Sequence, residues 1–191
     1  MKKIARLFHT LKFLKPTQLA FFVRRRLLPA ARVSEASNST AAQEFSLSKC
    51  IPVADENYAP YAFNFIGTIK KYSALSVDWR PDDVSRLWRY NLHYFDYLRE
   101  PRRPVDEKNK LIENWIDSNP QGSQPGWEPF TASLRIVNWI IFASVSGSLS
   151  QRAQDSLYTQ ARWLFSNDER HILANHYFEN LKAMLFAGCY F

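Results

Sequence analysis

The residues best equipped for chemistry lie near the C-terminal end of the sequence. In ERHILANHYFENLKAMLFAGCYF, Leu173, Tyr177, Leu181, Met184 and Leu185 share one half of a helical wheel. Asn175, His176, Glu179, Asn180 and Lys182 share the other half. Two amides, an imidazole and a carboxylate thus form one contiguous polar surface. It can donate hydrogen bonds to an anion and exchange protons near neutral pH. A solvated helix face has the same composition, so that reading stays open beside it. Metal chemistry is not expected. His171 and His176 are five residues apart, off a common helix face, and Cys189 has no carboxylate in register. There is no GxSxG, HExxH, Walker or dinucleotide pattern, and only five glycines.

A second group of charges lies at the other end. Lys2, Lys3, Arg6, Lys12, Lys15, Arg24, Arg25, Arg26 and Arg32 precede the first acidic residue, Glu35. The net charge of +7 is therefore a basic arm on a nearly neutral body. Such an arm fits a polyanion, an acidic membrane surface or an acidic partner, or it is a solvated helical face. Its aromatics are not interleaved with its charges as in a stacking platform, so nucleic acid is not the expected partner. Arg6, His9, Lys12 and Lys15 interrupt the N-terminal apolar stretch, so no secretory signal is read and a cytoplasmic location is expected. No apolar run reaches the roughly 18 residues of a membrane span. Two cysteines, Cys50 and Cys189, make no disulfide framework.

The elements that must position these groups read as mainly helical. Ile4, Leu7, Phe8, Leu11 and Leu14 have helical spacing, and Thr17 is placed to cap a second helix that Pro29 ends. Residues 33–57, Ser/Ala/Thr-rich and without apolar period, read as a linker or loop. Tyr61, Phe63 and Phe65 alternate before Gly67, which predicts a short hairpin within 58–80. A helix capped by Asp82 or Asp83 should bury Val84, Leu87, Trp88, Leu92, Phe95 and Leu98, with Asn91 amid them. Arg86, Arg89, His93, Asp96 and Glu100 then lie opposite. A helix follows over 105–118, ended by Asn119-Pro120. The loop NPQGSQPGWEPF (119–130) presents Trp127 and Glu128. The next helix buries Leu134, Val137, Ile140 and Ile141 and carries Arg135 and Asn138. Ser148 and Gln151 have capping-box spacing before a stripe of Ala153, Leu157, Ala161 and Leu164. Gly188 is placed to cap the last helix. The apolar end at Cys189, Tyr190 and Phe191 leads us to expect a packing partner in further residues or in a second copy. Aromatics make up 15% of the chain, common in proteins that handle sugars or other flat ligands.

Three stretches together resemble a known family: LWRYNLHYFDYL (87–98), GWEPFTASLRIVNWI (126–140) and NHYFENLKAMLFAGCYF (175–191). They are similar to the N-terminal domain of heparinase II/III polysaccharide lyases. The segment KFLKPTQLAFFVRRRLL (12–28) is similar to the opening of members without a secretion signal. The resemblance spans nearly all of the chain outside 33–57. It implies a partial α/α toroid formed by residues 58–191, followed by a β-sandwich domain that lies beyond Phe191.

The resemblance also implies a chemistry. Family members abstract the proton at C5 of a uronic acid and expel the group at C4. A donor must share the charge that piles onto the carboxylate, a base takes the proton, and an acid serves the leaving oxygen. Asn175 and His176 match the place of the family's carboxylate-neutralising residue, and either of the two can be the one aimed at substrate. The family's catalytic Tyr and second His fall beyond Phe191, and Tyr177 and Tyr190 do not match that Tyr. Trp127, Arg89, His93, Tyr94 and Arg135 sit in the shared motifs. Each has two readings, a contact to a sugar, uronate or sulfate group, or core packing. No cofactor is implied. The expected partners are an acidic polysaccharide and the β-sandwich domain, and the periplasm is the alternative location. The competing expectations are a non-enzymatic binder of anionic glycan or membrane, and an inactive fragment.

Overall fold

The computed structural model describes residues 14–41, 47, 52, 59–73, 76–146, 149–172 and 174–191. The helix expected over 4–14 and most of 42–58 lie outside the described residues. The order is α1 (Pro16–Leu27), β1 (Ala62–Phe65), β2 (Thr68–Lys71), α2 (Arg86–Tyr94), a 3-10 turn (Asp96–Arg99), α3 (Val105–Ser118), α4 (Pro129–Ser146), α5 (Gln151–Asn167) and α6 (Ala174–Tyr190). The protein is mainly α-helical with one two-stranded sheet. None of the described helices is long and apolar enough to cross a membrane.

The hairpin pairs Ala62 with Lys71 and Phe65 with Thr68, antiparallel. Ile66 and Gly67 both have positive φ, 54° and 74°, which matches the twist of a tight two-residue turn. The alternation holds: Phe63 is buried, and its ring meets Tyr97 edge-on at 4.9 Å.

The hub is α4. It packs against α2, the 3-10 turn, α5 and α6. Its sequence is apolar nearly all round, as an enclosed helix requires. Val137 and Ile140 are buried as expected, but so are Ile136, Trp139 and Phe142, whereas Leu134 and Ile141 are only partly covered. A single stripe was the wrong expectation for a helix with neighbours on every side.

Three caps differ from the sequence reading. Ser85, not Asp82 or Asp83, caps α2 and accepts the Trp88 N–H at 3.1 Å. Lys15, not Thr17, precedes α1, with its N–H donated to Gln18 Oε1 at 3.0 Å. Ser150 caps α5 through the Ala153 N–H, while Ser148 lies outside the described residues. Helix α6 also runs through Gly188 to Tyr190.

The wheel for 82–100 fails because that stretch is not one helix. Phe95 adopts a left-handed conformation (φ 63°), and the chain continues as a 3-10 turn. Within Arg86–Tyr94 the buried face also differs from the expected one: Leu87 is 55% exposed and His93 fully buried. Asn91 bonds the Leu87 carbonyl of its own helix.

All six tryptophans are buried. Trp115 meets Trp139 edge-on at 5.7 Å and Trp127 at 6.2 Å, and Trp127 meets Trp163 at 5.2 Å. The aromatic richness of the sequence thus goes largely into the core. Ser85→Ala should destabilise the protein by about 1 kcal/mol. Asp82→Ala should leave the urea midpoint nearly unchanged, and equal shifts would contradict the cap assignment.

Candidate functional site

Three of the residues read as sugar contacts are interior. His93 is fully buried between two tryptophan segments. Trp115 Nε1–H donates to its Nδ1 at 2.9 Å, so Nε2 carries the proton and donates to the Trp79 carbonyl at 2.8 Å. Burial, reinforced by the Arg135 charge, pushes its pKa down to about 3. Arg135, also fully buried, lies over the Trp115 ring at 3.9 Å. It donates to the Gly126 carbonyl at 2.8 Å and to Gln160 Oε1 at 2.7 Å. Trp127 is 4% exposed and donates to the Asn119 carbonyl at 2.9 Å. The protein as folded offers none of the three to a glycan. Arg89 is half-buried, its guanidinium directed to the Pro81 carbonyl at 3.5 Å.

The polar half-wheel of α6 also needs correction. Asn180 points inward and is fully buried, alongside Ala183, Ala187 and Tyr190. Its side chain accepts the Glu169 N–H at 2.7 Å and donates to Ser133 Oγ at 2.9 Å. The outward face carries Phe178, Leu181 and Leu185. Wheel polarity misleads here because α4 supplies polar partners to α6. Glu179 and Lys182 pair with each other at 2.5 Å. Asn175 remains exposed.

What the fold does bring together is a strip built from α2, the start of α4 and the start of α6. Phe130, second residue of α4, is its centre. The Tyr94 ring meets it edge-on at 6.1 Å and the His176 ring lies 4.6 Å away. Tyr90 stacks parallel to Tyr94 at 6.4 Å. Tyr90 donates its hydroxyl to Glu128 at 2.5 Å, and Arg86 pairs with the same carboxylate at 3.2 Å. At the other end, His176 Nδ1 faces the largely buried Glu169 carboxylate at 3.1 Å.

The strip has a definite chemistry. A carboxylate against Nδ1 fixes the proton there and leaves Nε2 as the working nitrogen. Among the described residues no group bonds that Nε2. Burial is the first cause that pushes the Tyr94 hydroxyl up to about 12, with Tyr90, Asp96 and Glu128 adding to it. At neutral pH Tyr94 therefore keeps its proton and can donate a hydrogen bond. Burial and the bond to Glu128 raise Tyr90 in the same way. Sequence reading named Tyr94, His176 and Glu128 but missed Phe130, Tyr90 and Glu169. Glu169 lies seven residues before His176, across the α5–α6 turn, where helical spacing gives no signal.

The two most spacious of the clefts described lie elsewhere. One of ≈ 600 Å³ sits beside α1, lined in part by Arg24, Arg25 and Arg32. Another of ≈ 570 Å³ lies where residues 35–36 cross α3 and α5. Among the described residues no cluster of His, Cys, Asp and Glu can hold a metal. Comparison with protein-family models, curated proteins and solved structures finds no match to this chain.

The unfolded chain takes up a proton at His93 near pH 6.5, which the folded chain refuses until about pH 3. Stability from this group is complete above pH 6.5 and falls as acid passes through that range, by about 1.4 kcal/mol per pH unit. Urea unfolding between pH 6.5 and 5 should show that slope, and His93→Gln, though less stable, should lack it; parallel slopes would refute the assignment. Asn180→Ala strands the Glu169 N–H and should cost about 1–3 kcal/mol, whereas exposed Asn175→Ala should shift stability by no more than about 0.5 kcal/mol.

Proposed function

We propose that the chain is the N-terminal helical region of a heparinase II/III-like polysaccharide lyase. In this reading it is a partial α/α toroid that binds a uronate-bearing acidic glycan across the Tyr90–Tyr94–Phe130–His176 strip. One observation supports the reading above the others. The stretches 87–98, 126–140 and 175–191, which carry the resemblance, are far apart in sequence, yet the first and the last both pack on the middle one. Their accessible side chains converge on Phe130.

The strip suits an acidic sugar. Aromatic faces at Tyr90, Tyr94 and Phe130 offer flat apolar surface to a pyranose ring. His176, held by Glu169, and exposed Asn175 on the preceding residue present donors to a carboxylate. Arg86 adds a cation, although Glu128 already engages it. In β-elimination the charge on the uronate carboxylate grows as C5–H breaks, so a donor there contributes most in the transition state. Tyr94 acts as a donor in this scheme, because its raised pKa keeps the phenol protonated at neutral pH. No tyrosine of the chain matches the family's base, so this chain by itself is read as binding rather than turning over glycan.

Titration with hyaluronan, heparan sulfate and alginate oligosaccharides, followed by NMR of the His176 ring, tests this. At least one glycan should shift His176. His176→Ala or Asn175→Ala should weaken binding about tenfold, the worth of one charge-assisted hydrogen bond. Unsaturated uronate absorbance should not grow. If neither substitution changes affinity, or no acidic glycan shifts His176, the reading fails.

A further inference from the structure

Helix α1 is amphipathic in an unusual sense, because its apolar face is turned away from the protein. The inward side is polar and lightly attached. Gln18, 8% exposed, donates to the His171 carbonyl at 3.2 Å. Arg25 donates to the Asn167 carbonyl at 3.4 Å. Phe21 lies beneath the Arg170 guanidinium at 4.9 Å. The outward side carries Leu19, Val23 and Leu27 at i, i+4 and i+8, exposed by 39%, 44% and 74%. Phe22 and Leu28 are exposed as well, but they lie beyond the arginines, beside the body of the protein. Arg26 falls on one flank of this stripe and Arg24 on the other. No acidic residue precedes Glu35, and among the described residues no carboxylate pairs with Arg24, Arg26 or Arg32.

We propose that α1 is an in-plane anchor for an anionic lipid surface, with Leu19, Val23 and Leu27 entering the acyl boundary and Arg24 and Arg26 meeting the headgroups. An exposed apolar stripe needs a partner that supplies hydrocarbon, and its flanking arginines need one that supplies negative charge. A soluble glycan supplies only the charge. The stripe is convex, a ridge on a single helix, so it gives a peptide no groove to occupy. Arginines at the border of an apolar stripe suit a headgroup layer, because their stems lie along hydrocarbon while the guanidinium stays at the phosphates. The cleft beside α1, where Arg24, Arg25 and Arg32 converge, is large enough for one headgroup. Asp168 also lines that cleft, but it is bound to Arg170. The proposal does not depend on the glycan reading.

Flotation of the full chain with phosphatidylcholine vesicles, with or without phosphatidylserine, provides the test. The wild type should float with the mixed vesicles, stay behind with phosphatidylcholine alone, and release as salt rises. Leu19→Ser/Val23→Ser/Leu27→Ser should lower partitioning about tenfold or more, and Arg24→Gln/Arg26→Gln should do the same. The substituted side chains are exposed, so near-ultraviolet circular dichroism of the buried tryptophans should not change. If it does, Leu27→Ser alone, at the most exposed of these positions, carries the comparison. The proposal falls if the wild type does not float with the mixed vesicles. It also falls if the serine variants float like wild type. Binding of heparin oligosaccharides by the wild type and serine variants alike, without flotation of either, would identify the face as a glycan surface instead.

Discussion

A buried cation organises this structure. Arg135 sits at the middle of α4 with no carboxylate beside it among the described residues. Burial lowers its pKa to about 9, which still leaves it charged at neutral pH. A charge removed from water must be met by dipoles and polarisable surface, or it costs several kcal/mol. The Gly126 carbonyl, Gln160 and the face of Trp115 meet it. Those groups belong to the loop before α4, to α5 and to α3. One guanidinium therefore sets the position of three segments relative to the hub, and Trp115 carries the constraint on to His93 through its indole N–H.

The geometry of the strip descends from that constraint. Gly126 approaches α2 so closely that a Cβ there would lie 2.9 Å from His93 Nδ1. With the backbone held at that point, Trp127 turns inward against Trp115 and Trp163. Glu128 turns outward to Tyr90 and Arg86, and Phe130 reaches between Tyr94 and His176. A loop rich in Pro and Gly thus places two half-buried groups because its other members are fixed from inside. The interior is polar as well as aromatic: both ring nitrogens of His93, the Asn180 amide and Arg135 Nε and Nη1 are hydrogen-bonded, while Arg135 Nη2 and the Trp139 indole N–H are buried without a hydrogen-bond partner among the described residues. Such a network favours one arrangement of the loop over its alternatives.

The sequence made some of this plain and hid the rest for physical reasons. The helix over 105–118 and the hairpin were legible because each has an unbroken period and a clear stop, Asn119-Pro120 in one and Ile66-Gly67 in the other. Helix α2 was misread because the break at Phe95 uses a left-handed non-glycine residue, which no composition signal marks. Helix α6 defeats the wheel because polarity there does not mean exposure. Asn180 is buried since Ser133 and the Glu169 N–H await it, while Phe178 and Leu185 face outward. Trp127, His93 and Arg135 lie in the stretches that carry the resemblance, where shared packing and shared chemistry leave the same trace in a sequence. Of the residues first singled out, only Asn175, His176 and Tyr94 stand where a ligand can meet them, with Arg89 at the margin.

The turn between α5 and α6 touches both the strip and α1, and its construction keeps them apart. Its outer carbonyls, at Asn167 and His171, receive Arg25 and Gln18 of α1. Its inner carboxylate, Glu169, orients His176. Between the two, Glu169 N–H is tied to buried Asn180, and Arg170 is clamped to Asp168. Passing a displacement from α1 to His176 would require a second stable arrangement of this turn. The Asn180 bond opposes one, since breaking it would leave a buried donor and a buried amide unpaired. Two surfaces of opposite character can therefore be carried on one short turn: an apolar, cationic ridge attached through two backbone carbonyls and the Phe21–Arg170 contact, and an aromatic strip whose histidine is fixed from the core.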